Sequence, residues 1–364
     1  MKISSRRLLA AAAALTAAVT LAACGSGSSS TPAAAGGGGT TKINLVLGWV
    51  TQAEWAGFYA AEEQGYYKAA GLEVTIRPGG PDVSTEQVVG AGQADIGTGP
   101  FGAVLSAVDQ GSPLRSVAQT SARPGYVMVS RKSAGINSPA DWKGKKIGSW
   151  AGDQKLYATM AKYGINPDTD VTMVQQGFDM SQFLSGAVDL ASAYTFNELG
   201  QVLAAGIPMS ELNVYSFASD GTSVAEDNIF ANTTFLEANR DKVAAFVTAT
   251  MKGWAYCRDN AAKCVQTVVQ QGTALDASFQ TYQMNQMNQL IWPSVAGLGA
   301  IDEKWYQQSI DLLHQYKVTT KELTMDQVAD LALNKQAVAG LSGIDTMDAG
   351  YTAPSLPADL LLKK

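Results

Sequence analysis

From Ile43 to Asn232 the chain alternates short β-branched and apolar runs with amphipathic segments, and this alternation restricts its fold more than any other feature. Strand patterns separated by helical ones require crossover connections, and therefore a doubly wound α/β architecture. The spacing predicts strands at 43–49, 72–78, 94–98, 114–120, 126–131, 145–149, 171–175, 189–194, 213–217 and 228–232. Helices are expected to begin near Ala53, Val83, Gly102, Gln154, Met180 and Thr195. After Thr233 the pattern is almost wholly helical, through FLEANRDKVAAFVTATMKGWAYC, ASFQTYQMNQMNQL and DEKWYQQSIDLLHQY.

The amino terminus has a different character. Lys2, Arg6 and Arg7 precede an apolar, alanine-rich run from Leu8 to Ala23, which is short for a membrane span and has the shape of a secretory signal. Leu21-Ala22-Ala23-Cys24 resembles a bacterial lipobox, which implies cleavage after residue 23 and a diacylated Cys24. Ser5-Arg6-Arg7-Leu8-Leu9 bears a faint likeness to a twin-arginine signal and leaves the export route open. Residues 24–41 then form a Gly/Ser/Ala tether, GSGSSSTPAAAGGGGTT after the cysteine, with a reach of roughly 20 Å. The net charge of −6 becomes more negative once the leader's cations are lost, and no basic run remains. Nucleic acid and a polybasic lipid contact are thereby disfavoured as partners, and membrane attachment falls to the lipid.

The segment WVTQAEWAGFYAAEEQGYYKAAGLEVTIRPGG, Trp49 to Gly80, reads as strand end, aromatic loop, helix, turn and second strand. Together with SPADWKGKKIGSW, the GFDM segment at 177–180 and the FLSGAVD turn, it resembles the solute-binding proteins of ABC importers for thiamine pyrimidine precursors, riboflavin or alkanesulfonates. The fungal thiamine pyrimidine synthase belongs to the same family. The A-G-F-Y helix entry, GFDM and the Asn197-Glu198 pair look like the branch associated with riboflavin and pyrimidine precursors. This resemblance implies a two-lobed type II periplasmic-binding-protein fold with a ligand cleft between the lobes. Lobe one would take residues 42–128 plus 224–364, and lobe two residues 129–223.

Open α/β sheets bind ligands beyond the carboxyl ends of their strands, where planar side chains can sandwich a planar ring. Trp49, Trp55 and Tyr59 from lobe one, and Trp150, Phe178 and Tyr194 from lobe two, are the candidate stacking faces; Tyr66 and Tyr67 read as core. Gln52, Asn197 and Glu198 are candidates for reading ring nitrogens and exocyclic groups, with helix capping as the alternative role for Glu198. Gly99 would allow close backbone approach to the ligand, with Phe101 beside it as a further ligand contact, and Asp153 reads as a helix cap. Arg123 is the cation nearest the expected hinge, where it pairs with a surface carboxylate, steadies the hinge or holds an anion.

Gly92-Gln93-Ala94-Asp95-Ile96-Gly97 is echoed by Gly186-Ala187-Val188-Asp189-Leu190-Ala191, each with a turn leading into a short strand. Cys257 and Cys264 would lie about 10 Å apart on an unbroken helix, too far for a disulfide, but a helix end at Arg258-Asp259-Asn260 would allow one. His314 is the chain's single histidine, and no cysteine cluster, phosphate loop or nucleophile elbow accompanies it. A binding protein without enzyme activity, cofactor or metal is therefore expected. It would be monomeric, lipid-anchored outside the cytoplasm, and served by permease and ATPase subunits. An aliphatic sulfonate or other small anion as ligand, or a sensor lipoprotein on the same fold, are the alternatives. The tail DTMDAGYTAPSLPADLLLKK reads as an extended strap along lobe one.

Overall fold

The computed structural model describes residues 39–357 and 359–362. The expected leader, Cys24 and nearly all of the expected tether lie outside the described residues. The strands are β1 Thr41–Val46, β2 Leu72–Arg77, β3 Ile96–Gly99, β4 Leu114–Gln119, β5 Tyr126–Arg131, β6 Lys146–Ser149, β7 Thr172–Gln175, β8 Leu190–Tyr194, β9 Leu212–Ser216 and β10 Asn228–Asn232. Helices of seven residues or more are α1 Ala56–Glu63, α2 Phe101–Asp109, α3 Gln154–Lys162, α4 Glu198–Ala204, α5 Arg240–Asp259, α6 Ala261–Gln271, α7 Ala277–Ile291, α8 Glu303–Gln315 and α9 Leu331–Ala339. Every expected strand is present, two of them (126–131 and 228–232) with the expected ends and the rest with shifted ones. β1 stops at Val46 because Gly48 N then donates to Thr98 Oγ1 (2.8 Å) and the chain leaves the sheet. The helix expected from Thr195 starts at Glu198, after a turn in which Asn197 N donates to Tyr194 O.

The strands form two five-stranded sheets, ordered β2-β1-β3-β10-β4 and β7-β6-β8-β5-β9. In the first, β1 runs parallel to β2 and β3, and β10 lies antiparallel between β3 and β4. The second repeats this plan, with β6 parallel to β7 and β8, and β5 antiparallel between β8 and β9. The sequence echo has the same role in both. Asp95 Oδ2 accepts from Asn44 N (2.7 Å), and Asp189 Oδ2 accepts from Lys146 N (2.8 Å), so each aspartate ties its sheet's first parallel strand to the entry of the third. The chain enters the second sheet through residues 120–125 and returns through 217–227. The expected boundary at residue 128 would cut β5, which pairs with the second sheet along its whole length, so the crossing lies just before Tyr126.

The C-terminal helices complete the first half. Ile43, Leu45, Phe58, Phe246, Trp254 and Ile291, contributed by β1, α1, α5 and α7, share one buried core. α1 and α5 pack at near-backbone distance: a Cβ on Gly253 would sit 2.0 Å from Gly57 O, and one on Gly57 would sit 2.4 Å from the Trp254 ring. α5 ends at Asp259, and the turn through Asn260 brings Cys257 and Cys264 to a Cα separation of 5.6 Å, where they form a disulfide. The tail crosses this half as a strap, held by Ser294 N to Met347 O (2.8 Å), Leu298 N to Thr346 O (2.8 Å) and Asn285 Nδ2 to Pro354 O (2.8 Å). Arg258 fastens it from below, donating to Asp345 O (2.9 Å) and pairing with Asp348 (3.5 Å). No helix among the described residues is long and apolar enough to cross a membrane.

The α1–α5 contact gives a direct test. A methyl at Gly253 must push two helix backbones apart, so Gly253→Ala is expected to lower unfolding stability by about 1–3 kcal/mol in urea denaturation. Alanine at the exposed, uncrowded Gly350 should leave it unchanged.

Candidate functional site

In both sheets the segments that follow the parallel strands turn toward one region. Trp49 lies in the loop after β1, Trp150 directly after β6, Phe178 in the loop after β7, and Tyr194 closes β8. The Trp49 ring centroid is 6.0 Å from Trp150 and 5.6 Å from Phe178, so rings from the two sheets meet. Trp150 is held by donation from Nε1 to Gly177 O (3.1 Å) and lies 6.2 Å from Tyr194. Phe178 is the outermost member, 54% exposed. The rings meet edge-on or tilted, without face-to-face stacking on one another.

Other candidates fall elsewhere. Trp55 and Tyr59 are 4% and 7% exposed and belong to the core of the first half, Trp55 against Phe58 and Tyr59 donating to or accepting from Thr51 Oγ1 (2.9 Å). They sit on the turn and helix that plug this core, which is why they present no stacking face. Phe101 is fully buried, stacked at 3.9 Å on Tyr306. A Cβ at Gly99 would meet Glu86 Oε1 at 3.0 Å and Thr85 Oγ1 at 3.3 Å, so this glycine makes room for protein side chains. Arg123 donates to the carbonyls of Gln289, Trp292 (2.7 Å) and Pro293 (2.5 Å), capping the end of α7 instead of pairing with a carboxylate. His314 is exposed on α8.

Beside the rings lies a buried polar layer. Gln52 Nε2 donates to Glu54 Oε2 (2.6 Å), and Asn197 Nδ2 donates to Glu198 Oε1 (2.6 Å). Gln283 Nε2 donates to both Gln52 Oε1 (3.0 Å) and Asn197 Oδ1 (2.8 Å). Glu198 Oε2 also accepts from Tyr194 N (2.9 Å). At the crossing, Glu226 Oε2 accepts from the amides of Gly125 (2.8 Å) and Tyr126 (3.3 Å). Asp153 caps α3 through Leu156 N (3.2 Å), as expected, and also accepts from Tyr126 Oη. Lys155 is the cation facing these acids, with Nζ 3.9 Å from Glu226 Oε1 and 3.7 Å from the Tyr126 ring centre.

Burial dominates the electrostatics. It pushes the Glu198 and Glu226 carboxyls up to about 7 and Asp227 to about 6, against partial relief from hydrogen bonds at Glu198, from Lys155 at Glu226, and from Ser121 and then Lys155 at Asp227. Glu54 and Asp153 are raised for the same reason, Glu54 further by the neighbouring Asp227. Glu54, Lys155, Glu226, Asp227 and Gln283 are all missing from the sequence expectation. Glu54 stood two residues from Gln52 in the aromatic loop, and Gln283 lay in a helix whose amides and methionines alternate, but neither pattern says which side faces inward.

These two mixed sheets, joined by paired crossings, define the two-lobed periplasmic-binding-protein fold. The alkanesulfonate-binding protein SsuA of Xanthomonas axonopodis pv. citri, solved bound to MOPS, has the same fold: TM-score 0.61 at 13% identity, over 80% of this chain and 99% of that one. Residues 52–263 match the NMT1/THI5-like family, and the chain belongs to it. It is 28% identical over 259 residues to the 4-amino-5-hydroxymethyl-2-methylpyrimidine phosphate synthase THI13 of Saccharomyces cerevisiae, covering 67% of this chain and 76% of that protein. It is 25% identical over 228 residues to the riboflavin-binding protein RibY of Chloroflexus aurantiacus, covering 59% of this chain and 62% of that protein. The family thus unites proteins named as enzymes with proteins named as binders.

The raised carboxyls give a pH dependence of definite sign. Between about pH 4.5 and about pH 7 the folded state holds protons on Glu198 and Glu226 that the unfolded chain has released, so their contribution to stability is complete below that window and is lost as pH rises through it. Urea unfolding is expected to give lower stability at about pH 8 than at about pH 5, and Glu226→Gln should flatten that difference.

Proposed function

We propose that this chain is the extracytoplasmic, lipid-anchored substrate-binding protein of an ABC importer, and that it captures a small heteroaromatic compound by closing two lobes on it. The lobes are the two sheet halves, joined by residues 120–125 and 217–227. The observation that carries the reading is the meeting of Trp49 from one half with Trp150 and Phe178 from the other, beside hydrogen-bonding amides and carboxylates. A planar ring placed among these groups touches both lobes only when they are together, so it stabilises the closed arrangement. The loaded form then docks on permease subunits. Anchorage comes from Cys24 after cleavage of residues 1–23, and the tether gives the lobes freedom to reach the transporter.

The shortage of free cations beside the rings favours a ring compound over a sulfonate. Glu54, Asp153, Glu198, Glu226 and Asp227 surround the polar layer against Lys155, while Arg123 is engaged by helix carbonyls. A sulfonate would need its negative charge matched by cations or free amides. Relatives named as pyrimidine synthases raise an enzyme as the second reading; the rings and amides that carry the present reading include no histidine, and His314 is exposed on α8.

Intrinsic tryptophan fluorescence of the chain, titrated with riboflavin, an aminopyrimidine thiamine precursor and taurine, tests the ligand class. Saturable quenching by one ring compound is expected, and Trp150→Ala should weaken it at least about tenfold, the loss of one stacking partner plus its buried area. A response to taurine alone would replace this reading by the anion one. Cys24→Ala should move the chain from the membrane to the soluble fraction, and its retention at the membrane would remove Cys24 as the anchor.

A further inference from the structure

Five side chains form one continuous hydrogen-bonded series across the junction of the halves: Glu54, Gln52, Gln283, Asn197 and Glu198. Glu54 and Gln52 belong to the first half, Asn197 and Glu198 to the second, and Gln283 to α7, which packs in the core of the first. Both ends are carboxyl oxygens that accept. Each amide between passes the polarity along, so the donors on either side point outward, from Gln52 to Glu54 and from Asn197 to Glu198. The two outward series can meet only at an atom that donates in both directions. A hydroxyl has one hydrogen and a carboxylate none, whereas a carboxamide nitrogen has two. Gln283 Nε2 occupies that point, 3.0 Å from Gln52 Oε1 and 2.8 Å from Asn197 Oδ1, while its Oε1 accepts from Ala53 N (3.3 Å). It is fully buried. The neighbouring Tyr282 makes a second tie across the junction, donating to Thr195 O (2.7 Å), and its ring lies where a Cβ on Gly200 would come within 2.5 Å.

We propose that Gln283 is the positioning residue of the cleft, a protein-supplied clasp that orients Gln52 and Asn197 and draws the two lobes together through its two-way donor. Its bond to Asn197 exists only when the lobes are in contact, so the clasp favours closure before any ligand contributes. The inference rests on the two-lobed closing mechanism above and on no particular ligand. Loss of the clasp leaves Gln52 Oε1 without its donor and Asn197 Oδ1 with only the longer bond from Gln201 Nε2 (3.5 Å), while Ala53 N keeps Gln280 Oε1 (2.7 Å).

The test is made without ligand. In the full-length chain carrying Cys24→Ser, spin labels at exposed Lys68→Cys and Glu211→Cys, one in each half, report the interlobe distance distribution. Gln283→Met fills nearly the same volume and donates nothing. It is expected to shift the distribution toward longer distances, with the closed fraction lower by about tenfold or more. An unchanged distribution in Gln283→Met, with cooperative urea unfolding retained, overturns the proposal. Asn197→Leu removes the clasp's other partner and serves where Gln283→Met does not fold. With both, the double variant should open no further than either single one, whereas additive effects would reduce Gln283 to packing. The readout separates the two readings: absence of quenching by ring compounds would sink the ligand class and leave the clasp standing, and an unchanged distance distribution would do the reverse.

Discussion

Everything in this molecule depends on the exchange of one antiparallel strand between its halves. β5 leaves the first sheet's last parallel crossover to pair between β8 and β9, and β10 returns to pair between β3 and β4. Each sheet is therefore finished by chain that has just come from the other. The backbone groups of β3 and β8 on their inner edges have no other ladder to join, so neither half can satisfy its hydrogen bonds without the two crossings running side by side. That constraint brings the loops after β1, β3, β6, β7 and β8 to one place, and the aromatic and polar layers follow from it.

The crossings are themselves secured. Arg123 binds the first crossing to the carbonyl end of α7, a favourable place for a cation at the negative end of a helix. Glu226, on the return crossing, takes the amides of Gly125 and Tyr126 on the outgoing one. A buried carboxylate there is costly to ionise, and its two backbone donors with Lys155 offset only part of the cost. The same helix α7 that receives Arg123 also carries Gln283 and Tyr282 to the junction, so the joint and the clasp share one rigid element.

Much of this architecture was legible from the sequence because hydrophobic period and turn chemistry are local. LEVTIR and YVMVSR declare themselves as strands without reference to anything distant, and the Gly-x-x-Asp turns mark strand entries in both halves. The site was legible only in part. Trp49, Trp150, Phe178 and Tyr194 follow strands directly, so the strand-end rule located them. Trp55 and Tyr59 lie further from their strand, and Phe101, although it follows β3 closely, opens a helix; the inward faces of all three are set by α5, α7 and α8, elements many residues away. Gln283 and Glu226 were invisible for the same reason: their significance is a partner 231 residues off in one case and about 100 in the other.

The paired aspartates carry a consequence of another kind. Asp95 and Asp189 perform one task in two sheets of the same order, one tying Asn44 and the other Lys146. With Asn44→Ala as background, which removes the additional bond from Asn44 Nδ2 (3.0 Å), substituting each in turn compares the same backbone tie in two surroundings, one half built around the long C-terminal helices and the other meeting them through α3 and α4. Any difference between the two outcomes measures how far those helices stiffen their half, so the molecule contains its own internal control for the mechanical asymmetry of its lobes.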